Sequence, residues 1–195
     1  MQINDAQREM RFRFAGGFFG QLVSGLLWAV SAALATWSTP RLAITAIVIG
    51  GFFIFPLTEL LLRLAGGRDQ LSADNALRGL GMQVAFVLPL SMPLLLPVAL
   101  YRLTWFFPAL ALLVGAHYLP FVFLYGMRMF AVLGALLVVG GMLISRFWPN
   151  TLSAAAWYSA VILLVFAVVG RTTVMQERRR SGAAGSARLQ LGQPA

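Results

Sequence analysis

Six apolar runs, each long enough to cross a bilayer, dominate this sequence: residues 14–37, 42–63, 77–99, 103–125, 128–146 and 152–171. A helix needs about 20 apolar residues to span the hydrocarbon core. In lipid, every backbone N–H and C=O must be satisfied within the structure. The runs therefore predict an all-α fold, a polytopic transmembrane helix bundle of about six spans. Composition points the same way. Of the 195 residues, 59% are hydrophobic and 11% charged, against about 45–50% and about 25% in a soluble domain. One buried core cannot hold that surplus, so lipid must solvate much of the surface.

The first run has Arg11 and Arg13 ahead of it and Ala33-Leu34-Ala35 near its end. Its apolar stretch exceeds the roughly 7–15 residues of a signal-peptide core, so it reads as a retained span. The third run carries Pro89, Pro93 and Pro97. Each proline lacks a backbone donor and clashes with the preceding turn, so this span is expected to be proline-broken in its outer half.

Orientation follows from arginine, which supplies all 15 basic side chains and so the whole of the formal net charge of +9. With the N-terminus inside, twelve of the 15 fall on the cytoplasmic side: Arg8, Arg11, Arg13, Arg63, Arg68, Arg78, Arg128, Arg171, Arg178, Arg179, Arg180 and Arg188. Arg41, Arg102 and Arg146 fall opposite. That asymmetry is the positive-inside pattern, and it places both termini in the cytoplasm of a bacterial inner membrane. Trp37, Trp105, Trp148 and Trp157 fall near the outer ends, where indoles sit at headgroup level; Trp28, inside a span, does not fit. The chain divides into a cytoplasmic segment 1–13, a transmembrane domain 14–171 and a basic tail 172–195 expected to be disordered. Within that tail, Arg178, Arg179 and Arg180 are expected to meet anionic lipid headgroups. The polar connection 64–77 offers Ser72 or Asp74 as a cap for the third span. No nucleic-acid-binding module is visible among the basic residues.

Cysteine is absent and His117 is the single histidine. Thiol chemistry, bis-histidine haem ligation and a His-rich zinc shell are thereby excluded for one chain. No P-loop, G-x-G-x-x-G, H-E-x-x-H or G-x-S-x-G occurs. No cofactor, metal site or catalytic constellation is expected.

Ionisable groups at membrane depth are functional candidates by default. Glu59 and His117 are the two well inside spans. At 1.5 Å per residue, Glu59 lies about 6 Å, His117 about 12 Å, Gln21 about 10 Å and Gln83 about 9 Å from the cytoplasmic ends of their spans. Four polar side chains thus share one layer, and Tyr118 and Tyr125 can add hydroxyls to it. A carboxylate beside an imidazole can hold or relay a proton. The competing explanation is structural: Glu59 and Arg63 are spaced as an i, i+4 pair, and the amides can be interhelical glue. Gly16 and Gly20 form a G-x-x-x-G, a close-packing motif that also offers a homo-oligomer contact.

Phe55-Pro56-Leu57, Asn75-Ala76-Leu77 with Leu80-Gly81, and above all Gly115-Ala116-His117-Tyr118-Leu119-Pro120-Phe121 with Tyr125 carry a resemblance. Over roughly residues 14–170 the chain resembles an uncharacterised bacterial family of small multi-pass membrane proteins, a domain of unknown function. Ala76 stands where that family has proline. The resemblance implies a membrane location and a fold of this size, and no activity. On the residues alone, a small-solute or ion carrier, or a channel-like protein, with a cytoplasm-facing polar site ranks first. A non-catalytic membrane partner or assembly factor ranks second, and a lipid-modifying enzyme last.

Overall fold

The computed structural model describes residues 1–66 and 71–190, with side chains through Ser181 and at Ala183. Residues 67–70 of the polar connection and 191–195 of the basic tail lie outside the described residues. Eight α-helices and no strand occur among the described residues: α1 (Ile3–Arg13), α2 (Phe18–Trp37), α3 (Pro40–Leu64), α4 (Leu77–Ser91), α5 (Leu95–Tyr101), α6 (Phe106–Tyr125), α7 (Met129–Phe147) and α8 (Ser153–Gln190). Six helical stretches are long and apolar enough to cross a membrane: Ala15–Trp37, Pro40–Leu64, Leu77–Tyr101, Leu103–Tyr125, Met129–Phe147 and Ser153–Ser181. The protein is an all-α, multi-pass membrane bundle. α1 stands apart. With Asp5, Arg8, Glu9, Arg11 and Arg13 in 11 residues, it is too short and too polar to span.

Local chemistry sets the boundaries. Thr39 caps α3, its hydroxyl accepting from the Leu42 N–H at 3.3 Å, and Pro40 follows in the first turn. Gly126 ends α6 in the left-handed region at φ +60°. The third span breaks where its prolines fall: α4 stops at Ser91, Met92–Leu94 tightens into a 3-10 turn, and α5 resumes at Leu95. Asn75 stands at the entry to α4, its Oδ1 accepting from the Leu77 N–H at 2.9 Å. Neither Ser72 nor Asp74 takes that role, because both the N–H and the hydroxyl of Ser72 bind Glu9 instead.

Into the basic tail, α8 continues as helix to Gln190. Two causes act together. Gln176, Glu177, Arg178, Arg179, Arg180, Ala183 and Ala184 are good helix formers. The membrane-spanning half has already supplied the costly nucleus, so each further residue only propagates the helix.

α2, α6, α7 and α8 form the centre, with Trp28, Phe107, Leu110, Leu124, Phe130, Leu133, Leu137 and Leu163 buried among them. α2 packs along α8 and α3, and α6 along α7. A methyl group on either Gly115 (α6) or Gly134 (α7) would lie 2.7 Å from the other's carbonyl oxygen, so these helices meet almost backbone to backbone. α3 and α4–α5 sit at the periphery and expose Ile49, Phe52, Phe53, Phe86, Leu90 and Leu96, as lipid-facing surfaces do. Trp28 is accounted for: it packs against Phe107 at 5.9 Å between ring centroids, as a core residue rather than an interfacial one. Gly16 lies against Gly170, and Gly20 lies beside Thr58.

Candidate functional site

α2 turns a polar line into the bundle. Gln21, Ser24 and Ser31 lie on the face that also carries Gly25, Trp28 and Ala32, and all six are buried. Three contacts fix the antiparallel register with α8. Gly16 meets Gly170, Gly25 meets Leu164, and the Trp157 Nε1–H donates to Thr36 Oγ1 at 3.1 Å. This register sets Ser31 level with Ser159, and both are fully buried. Gln21 is 1% exposed. Among the described residues, neither of its amide atoms has a hydrogen-bond partner, and the same holds for Ser31 Oγ and Ser159 Oγ.

α6 lies beside this line. Gly17 faces Phe130 and Tyr125 near one end of α2, and Trp28 faces Phe107 further along, so Gln21 falls near the level of Tyr118. Tyr118 stacks on Phe130 at 6.0 Å, and Tyr125 approaches the same ring at 5.3 Å. Phe121 closes the group, 5.7 Å from Tyr118 and 5.6 Å from Tyr125. His117 flanks it, 5.2 Å from Phe121, with Nδ1 buried and unpartnered.

The structure brings Tyr118, Tyr125 and His117 into one aromatic group but does not gather the four polar residues. Glu59 pairs with Arg13 at 2.9 Å rather than with Arg63 or His117. Gln83 is exposed on α4. No hydrogen bond links Gln21, Glu59, Gln83 and His117 to one another among the described residues. Spacing along a span sets depth, whereas the direction a side chain faces is set by which neighbour its helix packs against.

Sequence reasoning missed the polar hub at the chain-end side, which is α1. The Arg11 guanidinium donates to both Glu177 oxygens, at 3.1 and 2.8 Å, and to the Tyr125 carbonyl at 2.7 Å. Gln7 donates to the Phe123 carbonyl at 2.6 Å. Both carbonyls belong to the last turn of α6, whose final acceptors have no intrahelical donor. Arg13 reaches Glu59 on α3, and Arg178 donates to the Phe12 carbonyl at 2.9 Å while lying over the Phe12 ring. One signal was available: Glu177 is the only acidic residue after Asp74, set among arginines. Arg11 and Glu177 also line a cleft of about 310 Å³ with Gly126, Met127, Arg128, Met129 and Thr173. No group of three His, Asp or Glu side chains able to hold a metal occurs among the described residues.

Glu9 ties α1 to the start of α4. It accepts from the Ser72 hydroxyl, from the Ser72 N–H at 2.7 Å and from Asn75 Nδ2 at 2.6 Å. The Ser72 hydroxyl bond, followed by the Asn75 and backbone bonds, holds its carboxyl below the usual 4.5 against the opposing effect of burial. The folded state therefore binds this proton less readily than the unfolded chain does. The stabilisation is complete above 4.5 and is lost as pH falls through and below it. Hydrogen exchange at residues 71–78 should accelerate over that window, and Glu9→Gln should flatten the dependence.

The model of the family of unknown function DUF7010 matches residues 3–172, from the first residue of α1 into the middle of α8, and the chain belongs to that family. No curated protein and no solved structure matches it.

Proposed function

We propose that this DUF7010 member is a small-solute or ion carrier of the bacterial inner membrane, with the polar line of α2 as its path and α1 as its closure. The single observation that carries the reading is the set of buried, unpartnered polar atoms: both amide atoms of Gln21, Ser31 Oγ, Ser159 Oγ and His117 Nδ1. Away from water, each such group costs on the order of 1–3 kcal/mol when it lacks a partner. Leucine or alanine at these positions would pack without that penalty. A polar solute or ion moving along α2 would supply the missing partners in turn, from Gln21 past His117 to the Ser31–Ser159 level.

The arginine asymmetry of the sequence supports cytoplasmic termini, which puts α1 at the cytoplasmic mouth. There its bonds to Glu59, Glu177 and the end of α6 cover the approach to Gln21. Opening then requires Arg11 and Arg13 to leave their carboxylates. Arg179 and Arg180, exposed at the far side of α8 from the membrane centre, join Arg178 as contacts for anionic headgroups.

The test is flux into proteoliposomes loaded with reporters for protons, monovalent cations and small polar solutes. The wild-type chain should move at least one of them. Gln21→Leu should keep its thermal stability and lose that flux by at least about tenfold, the effect of withdrawing about 1.4 kcal/mol from the path. A wild-type chain that moves nothing across the panel sinks the reading.

A further inference from the structure

We infer that two copies of this chain associate side by side through α4, with Gln83 of each copy bonded to Gln83 of the other. Gly79, Gln83, Phe86 and Leu90 stand at i, i+4, i+7 and i+11, which is one helix face, and all four are exposed. Phe86 and Leu90 are 58% and 76% exposed, and among the described residues nothing lies within 4 Å of where a Gly79 side chain would begin. Arg78 stands in the same turn as Gly79 but beside this line, where it can reach the headgroups.

Gln83 is the anomaly on that face. It sits about 9 Å along the helix from Leu77, inside the stretch Leu77–Tyr101 that crosses the membrane. Hydroxyls elsewhere on the spans turn back onto their own helices: Thr58 to the Ile54 carbonyl and Ser91 to the Val87 carbonyl, both at 2.7 Å. A glutamine amide is too large to be satisfied that way, and Gln83 makes no hydrogen bond among the described residues. Facing lipid, it leaves two donors and an acceptor unmet.

The occupant that fits is a second copy. All copies share one orientation in the membrane, so a two-fold axis along the membrane normal sets α4 beside α4 in parallel and brings like residues face to face. An amide is self-complementary, because each Nε2–H can donate to the other's Oε1. Gly79, one turn away, lets the two backbones approach, and small residues with polar side chains are what hold membrane helices together. A foreign helix would need its own polar group at this depth, which nothing in this chain specifies.

The chain has no cysteine, so single-cysteine variants report one contact each. Phe86→Cys, which lies on the same face, is 58% exposed and keeps Gln83, oxidised in liposomes at low protein-to-lipid ratio, should give a disulfide-linked species of twice the chain's mass. Val139→Cys, 48% exposed on α7, should not. Without oxidant, Gln83→Leu should lower the dimer fraction in single-molecule photobleaching by about tenfold, an amide pair in a membrane contributing about 1–2 kcal/mol. Three results overturn the inference: a Phe86→Cys chain that stays monomeric, equal crosslinking at Val139→Cys, and adducts formed only with other proteins in native membranes. None of these measurements depends on flux, so failure here leaves the carrier proposal standing, and the reverse holds.

Discussion

Gly16→Val should leave almost no folded protein after detergent extraction. Between α1 and α2 the backbone runs through Ala15, Gly16 and Gly17 at φ +48°, +64° and +81°, a turn that passes the chain from the membrane surface into the first span. A β-branched residue in the left-handed region is a steric outlier, and such strain costs about 1–3 kcal/mol. Space adds to the problem. The new Cβ would lie 2.7 Å from the Gly170 carbonyl oxygen and 2.8 Å from Val174 Cγ2. The carbonyl belongs to the backbone of α8 and cannot rotate away, so overpacking adds roughly another 1–3 kcal/mol. A sum near 4 kcal/mol is a large share of the about 5–15 kcal/mol that holds a domain folded. Size-exclusion recovery and the thermal midpoint are the readouts. Gly51→Ala is the control, since Met92 at 3.8 Å is the only neighbour its Cβ would meet. That variant should be as stable as wild type or slightly better, because alanine is the stronger helix former. Normal recovery of Gly16→Val would show that the turn does not hold this geometry.

The second large effect is expected from reversing one charge. Arg11→Glu removes the two bonds to Glu177 and the bond to the Tyr125 carbonyl, and it sets two carboxylates face to face. The partners' side chains are 15% and 32% exposed, between the buried and surface extremes, so a loss of about 3 kcal/mol is expected from pair and repulsion together. Amide exchange in α1 should then speed up by roughly a hundredfold, with the spans unchanged. Adding Glu177→Arg in the same chain restores an ion pair of opposite polarity. It should recover part of the protection and not all of it, because a carboxylate at position 11 cannot donate to the Tyr125 carbonyl. Protection of α1 that stays at the wild-type level in Arg11→Glu would show that the helix is held by its other ties, Gln7 to α6, Glu9 to Ser72 and Asn75 and Arg13 to Glu59, with buried Ala6 and Met10.

Those two tests fall on parts of the molecule that differ in how far the sequence discloses them. The spans were legible because hydrophobic length is a local property, and the break in the third followed from Pro89, Pro93 and Pro97 directly. Family membership, too, was readable in the Gly115–Phe121 stretch. Partners across the bundle were not. Arg63 stood four residues from Glu59 and matched a helical pair, yet the carboxylate goes to Arg13, 46 positions away. Nothing local distinguishes the two arginines; packing of α3 on α2 does. Gln21 and Gln83 came out at nearly equal depth, yet one is fully buried and the other exposed, because depth and direction are independent coordinates of a helix. The helix that runs into the tail has a related cause. Its composition resembles that of free, soluble segments, whereas its conformation is inherited from the span that precedes it.

The contacts of α1 also carry a consequence for how the protein is made. Arg11 and Glu177 are 166 positions apart. α1 leaves the ribosome before any span, and the partner of Arg11 on α8 emerges only with the sixth. Until then α1 can reach Glu59, Ser72 and Asn75, but Arg11 stays solvated. It docks when α6 offers its final carbonyls and α8 brings Glu177 back across the membrane. A chain stalled or cut anywhere before that point would lack the Arg11–Glu177 pair, so formation of that pair marks the arrival of the last span.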